Sequence, residues 1–143
     1  MADSPKEEKP ILIIKTPEND TKKEKTVLIV EDEGDIQQLI AMRLKASHFK
    51  ILTASDGEEA LAMIRDKKPD LIVLDLMLPK ITGYELCQMI KFDEALKSIP
   101  IVVLSALEQR KDADRAFEAG ADAYFVKPLV FDLLITKINQ LLQ

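Results

Sequence analysis

Four apolar runs in this sequence each end on a residue able to do chemistry. Val27–Val30 runs into Glu31 and Asp32, Leu71–Leu74 into Asp75, Ile101–Leu104 into Ser105, and Ala123–Val126 into Lys127. Brought together, the three carboxylates repel one another and raise a pKa unless a cation neutralises them. All-oxygen ligands favour a hard ion, and Mg²⁺ is the natural choice. With few protein ligands such an ion keeps open positions that phosphate oxyanions can fill. Lys127 then adds a point charge and Ser105 a hydroxyl for further phosphoryl oxygens. The atom in line to receive the phosphoryl group is a carboxylate oxygen of Asp75, and the product of its nucleophilic attack is an acyl phosphate. The plainer alternative is that Asp75 merely ends its strand or caps the next helix, so the elements that carry these residues decide the matter.

Those elements alternate. The short unbroken aliphatic runs read as strands buried on both faces, as a parallel sheet requires. Between them lie helical patterns: Asp35 to Ala46, with Ile36, Leu39, Ile40, Arg43 and Leu44 at helical spacing, and a helix opening at Ser55-Asp56-Gly57-Glu58 with Ala60, Leu61 and Ile64 on one face. Ser55 is the candidate cap of that helix. A second strand spans Phe49–Thr53. A third helix carries Tyr84, Leu86, Cys87 and Ile90, a charged fourth runs from about Glu108 to Ala119 with Gly120 as its stop, and a fifth spans Leu129 to Leu142 with Leu133, Leu134, Ile138, Leu141 and Leu142 inward. Parallel neighbours need right-handed crossovers, so the expected fold is an α/β, three-layer, flavodoxin-like (βα)5 sandwich with a five-stranded parallel sheet in order 2-1-3-4-5. Its switch point lies between strands one and three, where ligands collect in such sheets and where both strands end in carboxylates.

Composition agrees with one domain. The chain has 143 residues, 47% hydrophobic and 31% charged, the balance of a globular protein with one substantial core. A net charge of −5, with lysines interspersed among acids, argues against direct binding of nucleic acid. No run approaches the ~18 apolar residues of a membrane span, and no secretory signal is present, so no membrane association and a cytoplasmic location are expected. The single cysteine, Cys87, excludes an internal disulfide and reads as a small core-facing side chain. Residues 1–25 are rich in Lys, Glu, Asp and Pro around one apolar cluster, Ile11–Ile14, and read as a flexible charged extension ahead of a domain at 26–143.

Val-Glu-Asp-Glu at 30–33, Leu-Asp-Leu-Met-Leu-Pro at 74–79, Leu-Ser-Ala at 104–106 and Ala-Tyr-Phe-Val-Lys-Pro at 123–128 together resemble the receiver domain of bacterial two-component response regulators, the CheY-like family. The resemblance covers about Lys25 to Gln143. It implies a phosphoprotein in which Asp75 accepts a phosphoryl group from a histidine kinase or phosphotransfer protein. It also implies that Asp32, Asp75 and the Met77 main-chain carbonyl bind Mg²⁺, with Glu31 acting through the metal's water. Lys127, Ser105 and the Ala106 amide would hold phosphoryl oxygens. In the family's switch, Ser105 moves toward the phosphoryl group, Tyr124 turns inward, and the face of the fourth helix, fifth strand and fifth helix is remodelled toward a downstream protein target or a homodimer. Glu31 stands where many receivers carry aspartate. Met77 and Leu107 occupy the two positions that tune acyl-phosphate lifetime, and neither can polarise a water, so a long-lived phosphorylated state is expected. The chain ends after the fifth helix, which suggests a stand-alone receiver that signals by docking.

Other classes fit less well. A haloacid-dehalogenase-type phosphatase wants a second aspartate two residues after the nucleophile, where this chain has Met77. A flavodoxin-like cofactor binder wants a phosphate loop after the first strand, where this chain has Glu-Asp-Glu-Gly-Asp. A pseudo-receiver, an interaction module that works without phosphorylation, stays open as the alternative.

Overall fold

The computed structural model describes residues 24–143. The extension expected over residues 1–25 therefore lies outside the described residues, apart from Glu24 and Lys25. Five strands and five helices alternate: β1 (Thr26–Val30), α1 (Gly34–Ala46), β2 (Lys50–Ala54), α2 (Gly57–Lys67), β3 (Leu71–Asp75), α3 (Gly83–Lys91), β4 (Ile101–Ser105), α4 (Arg110–Ala119), β5 (Ala123–Val126) and α5 (Phe131–Leu141). The strands form one sheet, all neighbours parallel, in the order β2-β1-β3-β4-β5. This is the flavodoxin-like sandwich expected from the alternation.

Strand periodicity divides the core into two layers. Leu28, Val30, Ile72 and Leu74 point to the side covered by α2, α3 and α4, where Ala60, Leu61, Ile64, Leu86, Cys87, Ile90 and Ala116 complete the packing. Val27, Ile29, Leu71 and Val73 point to the other side, against Ile40 and Leu44 of α1 and Leu134 and Ile138 of α5. Every residue of β3 is buried because it is central and covered on both faces. The edge strand β2 is mostly not.

Register then fixes which strand ends meet. Val30 pairs with Leu74, Asp75 with Leu104, and Ser105 with Val126. Glu31, Asp75, Ser105 and Lys127 thus emerge along one rim.

Two local expectations need correction. Asp56, not Ser55, caps α2: its carboxylate accepts from the Glu59 amide at 2.8 Å, while the Glu59 carboxylate accepts from the Ser55 amide at 2.7 Å. Both residues can cap and both have a glutamate three positions on; the helix starts at Gly57, so Asp56 takes the cap while Ser55 gives its amide to the Glu59 carboxylate. Leu133 is 60% exposed, because the inward face of α5 is carried by Leu134 and Ile138. Arg115 is exposed like most of the other charges of α4, and its guanidinium lies over the Tyr84 ring, 3.8 Å from its centroid. Gly120 ends α4 as expected, with φ +116, and a Cβ there would run into the Lys91 side chain.

Candidate functional site

The chain leaves β1 at Glu31 and β3 at Asp75, two carboxylates that are almost wholly enclosed, 1% and 6% exposed; Asp32 is open to solvent. Oxygens of Glu31, Asp32 and Asp75 lie within 4.8 Å of one another. Among the described residues one cation reaches into this set: Lys127 Nζ stands 2.8 Å from Glu31 Oε1 and 3.4 Å from Asp75 Oδ2. Three acids against one ammonium leave a surplus of negative charge. Burial pushes the Glu31 carboxyl above its ordinary value, despite the Lys127 hydrogen bond and with the Asp75 charge adding to the rise. Burial also works against the Lys127 ammonium, but the Glu31 hydrogen bond and the Asp75 charge outweigh it and hold that pKa above the usual lysine range.

Asp32, Glu33, Asp75, Met77, Ala106 and Lys127 line a cleft of about 280 Å³ over this cluster. A larger depression, about 550 Å³, lies along α3, but its Lys80, Ile81, Glu85, Gln88, Met89 and Phe92 lining gathers no comparable set of acids. The Asp75 carboxylate is oriented locally: Oδ1 accepts from the Met77 amide at 3.2 Å. Beneath it α3 begins at Gly83, where a Cβ would stand 2.6 Å from Leu76 Cα and 2.7 Å from the Asp75 carbonyl oxygen, so only glycine lets the helix start this close to the strand end. Oxygen donors packed this closely, with excess negative charge, suit a hard divalent cation such as Mg²⁺.

The sequence-expected residues therefore assemble, with two qualifications. Ser105 is fully buried and its Oγ accepts from the Leu107 amide at 3.0 Å, so the hydroxyl is engaged beside the cleft while Ala106 lines it. Tyr124 is outside the cleft, half-buried, and its hydroxyl donates to the Leu107 carbonyl at 2.7 Å. Leu107 thus joins Ser105 to Tyr124 through a single peptide residue. Sequence reasoning missed two contributors. Glu33 lines the cleft, and the Gln37 amide ties the Glu31 carbonyl to the Ala54 carbonyl at 3.0 and 3.1 Å, bracing the β1 end against β2. Gln37 lies one helical turn after Glu33, a spacing that could have signalled it.

An open parallel α/β sandwich with its titratable groups gathered at the β1/β3 switch point defines a class of proteins that place ligand chemistry beyond the strand ends. Over residues 27–139 the sequence matches the response regulator receiver domain family, and the chain belongs to that family. It is the receiver domain of a two-component response regulator. It is 40% identical over 119 residues to the phosphate regulon transcriptional regulatory protein PhoB of Pseudomonas aeruginosa, covering 83% of this chain and 52% of that protein. It is 43% identical over 104 residues to the alkaline phosphatase synthesis transcriptional regulatory protein PhoP of Bacillus subtilis, covering 73% and 42% respectively. The crystal structure of a putative response regulator from Chloroflexus aurantiacus superimposes with a TM-score of 0.81 at 32% identity, over 84% of this chain and 98% of that one. The chain spans about half the length of the curated relatives it matches. Among the described residues no helix is long and apolar enough to cross a membrane.

Proposed function

We propose that Asp75 accepts a phosphoryl group from a histidine kinase or phosphotransfer protein and that residues 26–143 convert this event into a change of docking surface. The observation that carries the reading is the close grouping of the Glu31, Asp32 and Asp75 oxygens with Lys127 reaching both buried acids. Asp32, Asp75 and the Met77 carbonyl would hold Mg²⁺, with Glu31 behind them. The ion supplies charge neutralisation for the incoming phosphoryl oxygens. An Asp75 oxygen forms the new P–O bond as the donor's P–N bond breaks, and the leaving imidazole nitrogen keeps the electron pair and takes up a proton. Lys127, the Ala106 amide and Ser105 receive the equatorial oxygens, so the chain contributes mainly positioning and charge.

The switch follows from the Ser105–Leu107–Tyr124 linkage. Drawing the Ser105 hydroxyl toward a phosphoryl oxygen takes it from the Leu107 amide, and the Leu107 carbonyl is what holds Tyr124. The β4–α4 connection and β5 then respond together. Phe117, Val126, Val130 and Leu133, 41 to 60% exposed, give the α4–β5–α5 face apolar side chains suited to a partner protein or a second copy of the chain.

The test is to incubate the protein with Mg²⁺ and acetyl phosphate and weigh it intact. One added phosphoryl group on the wild type and none on Asp75→Asn is the expected result. No addition from any small donor or kinase sinks this reading and leaves a phosphorylation-independent interaction module. After donor removal the adduct should decay slowly, since the Met77 and Leu107 side chains cannot orient a water.

A further inference from the structure

The β3–α3 connection, residues 76–82, carries Met77 at the cleft and rests its far side on the first turn of α2. Asp56 divides its carboxylate between two tasks there. Oδ1 accepts from the Glu59 amide and caps α2, while Oδ2 lies 3.4 Å from Lys80 Nζ, with Glu58 Oε1 3.6 Å from the same nitrogen. The Gly57 amide donates to the Pro79 carbonyl at 3.4 Å. Ile81 approaches so closely that a Cβ on Gly57 would stand 2.5 Å from both its Cβ and its carbonyl oxygen. Lys80 holds φ +70, a left-handed conformation that a long side chain keeps only when its surroundings fix it.

On the cleft side the connection is held by Asp75 Oδ1 on the Met77 amide and by Gly83 against Asp75 and Leu76. The segment is therefore gripped from two directions. What a larger residue 57 would meet is backbone, not the free end of a side chain, so Ile81 has to move away from α2. We infer that the first turn of α2 sets the position of the Met77 carbonyl at the cleft, with Gly57 and Lys80 as positioning residues for the divalent cation. This rests on the site reading above. Lys80, Asp56 and Glu58 pair at the surface, where ion pairs add little stability; the consequence of their contact is where the connection sits.

The experiment measures Mg²⁺ affinity by titration, hydrogen exchange of the 76–82 amides without metal, and thermal stability, for wild type, Gly57→Ala, Lys80→Ala and Lys80→Arg. The expected result is a Mg²⁺ dissociation constant about 10-fold higher in Gly57→Ala, in line with the loss of groups that orient metal ligands. Lys80→Ala should show a smaller rise in the same direction without loss of melting temperature, and Lys80→Arg should return toward wild type. Exchange at 76–82 should quicken in both weakened variants even without metal. Wild-type Mg²⁺ affinity in Gly57→Ala and Lys80→Ala overturns the inference while leaving the site reading intact. A wild-type protein that binds no Mg²⁺ overturns both.

Discussion

Aspartates stand at both ends of this sheet, and the two ends use them in opposite ways. At the end where the strands begin, Asp70 and Thr26 bond reciprocally: the Asp70 amide donates to the Thr26 carbonyl and the Thr26 amide to Asp70 Oδ2, both at 2.8 Å. Asp122 and Ile101 repeat the device at the same distances, with Lys91 Nζ 3.7 Å from Asp122 Oδ2. Each acid there satisfies the first amide of a neighbouring strand and so aligns β1 with β3 and β4 with β5. At the end where the strands finish, Glu31, Asp32 and Asp75 face one another with Lys127 as the cation among them. The first set stands as separate acids, each on a strand's first amide; the second crowds three acids around one ammonium and is left with charge to spare. The same residue type staples strands in line where its carboxylate takes the first amide of a neighbouring strand, and builds up negative charge where it is grouped with other acids.

The largest expected effect breaks the staple. Asp122→Ala leaves the buried Ile101 amide without its acceptor and should cost about 1–3 kcal/mol in urea denaturation. Asp122→Asn keeps an acceptor oxygen and should recover most of that loss, because here the acid acts through its oxygen and not its charge. Phosphorylation at Asp75 should persist in both variants. If Asp122→Asn is as damaging as Asp122→Ala, charge matters at both ends and the contrast fails.

At the other end the isosteric change should act in reverse. Asp32→Asn removes a like charge from the cluster, so the metal-free variant should be at least as stable as wild type. Mg²⁺ at tenfold its dissociation constant should stabilise wild type by about 1.4 kcal/mol and Asp32→Asn by much less. Equal stabilisation of the two proteins by Mg²⁺ would place the cation elsewhere.

The two ends also differed in how far they could be read from sequence. The finishing end was legible because strands buried on both faces leave unbroken aliphatic runs, and each run points to the residue that follows it. Glu31, Asp32, Asp75 and Ser105 were found in that way, while Lys127 follows the edge strand β5, whose Tyr124 and Phe125 are only half-buried. The beginning end was not. Asp70 follows Lys68-Pro69 with nothing local to mark a role, and its partner Thr26 lies 44 residues away. A side chain that bonds a distant backbone amide leaves no local period. The stacking of Arg115 on Tyr84 is hidden for the same reason, since that ring belongs to another helix. The cap at Asp56 was missed by one residue because Ser55 offers the same chemistry and each has a glutamate three positions on, so the sequence pattern does not separate them.

The smallest effect is a difference in pH response. Burial raises the Glu31 carboxyl above its ordinary 4.5, so the folded protein holds that proton more tightly than the unfolded chain. Stability linked to this group is present at low pH and is lost as pH rises from about 4.5 through the raised native value, since over that window the native state binds more protons. Metal-free wild type should therefore lose stability relative to Glu31→Gln as pH climbs from the range of ordinary carboxyls toward neutrality. Denaturant midpoints of the two proteins at several pH values give the comparison. Midpoints that run parallel would mean that Lys127 compensates the buried charge completely. The finishing end would then be as electrostatically settled as the end stapled by Asp70 and Asp122, and the surplus of acid at the cleft would have no cost in the free protein.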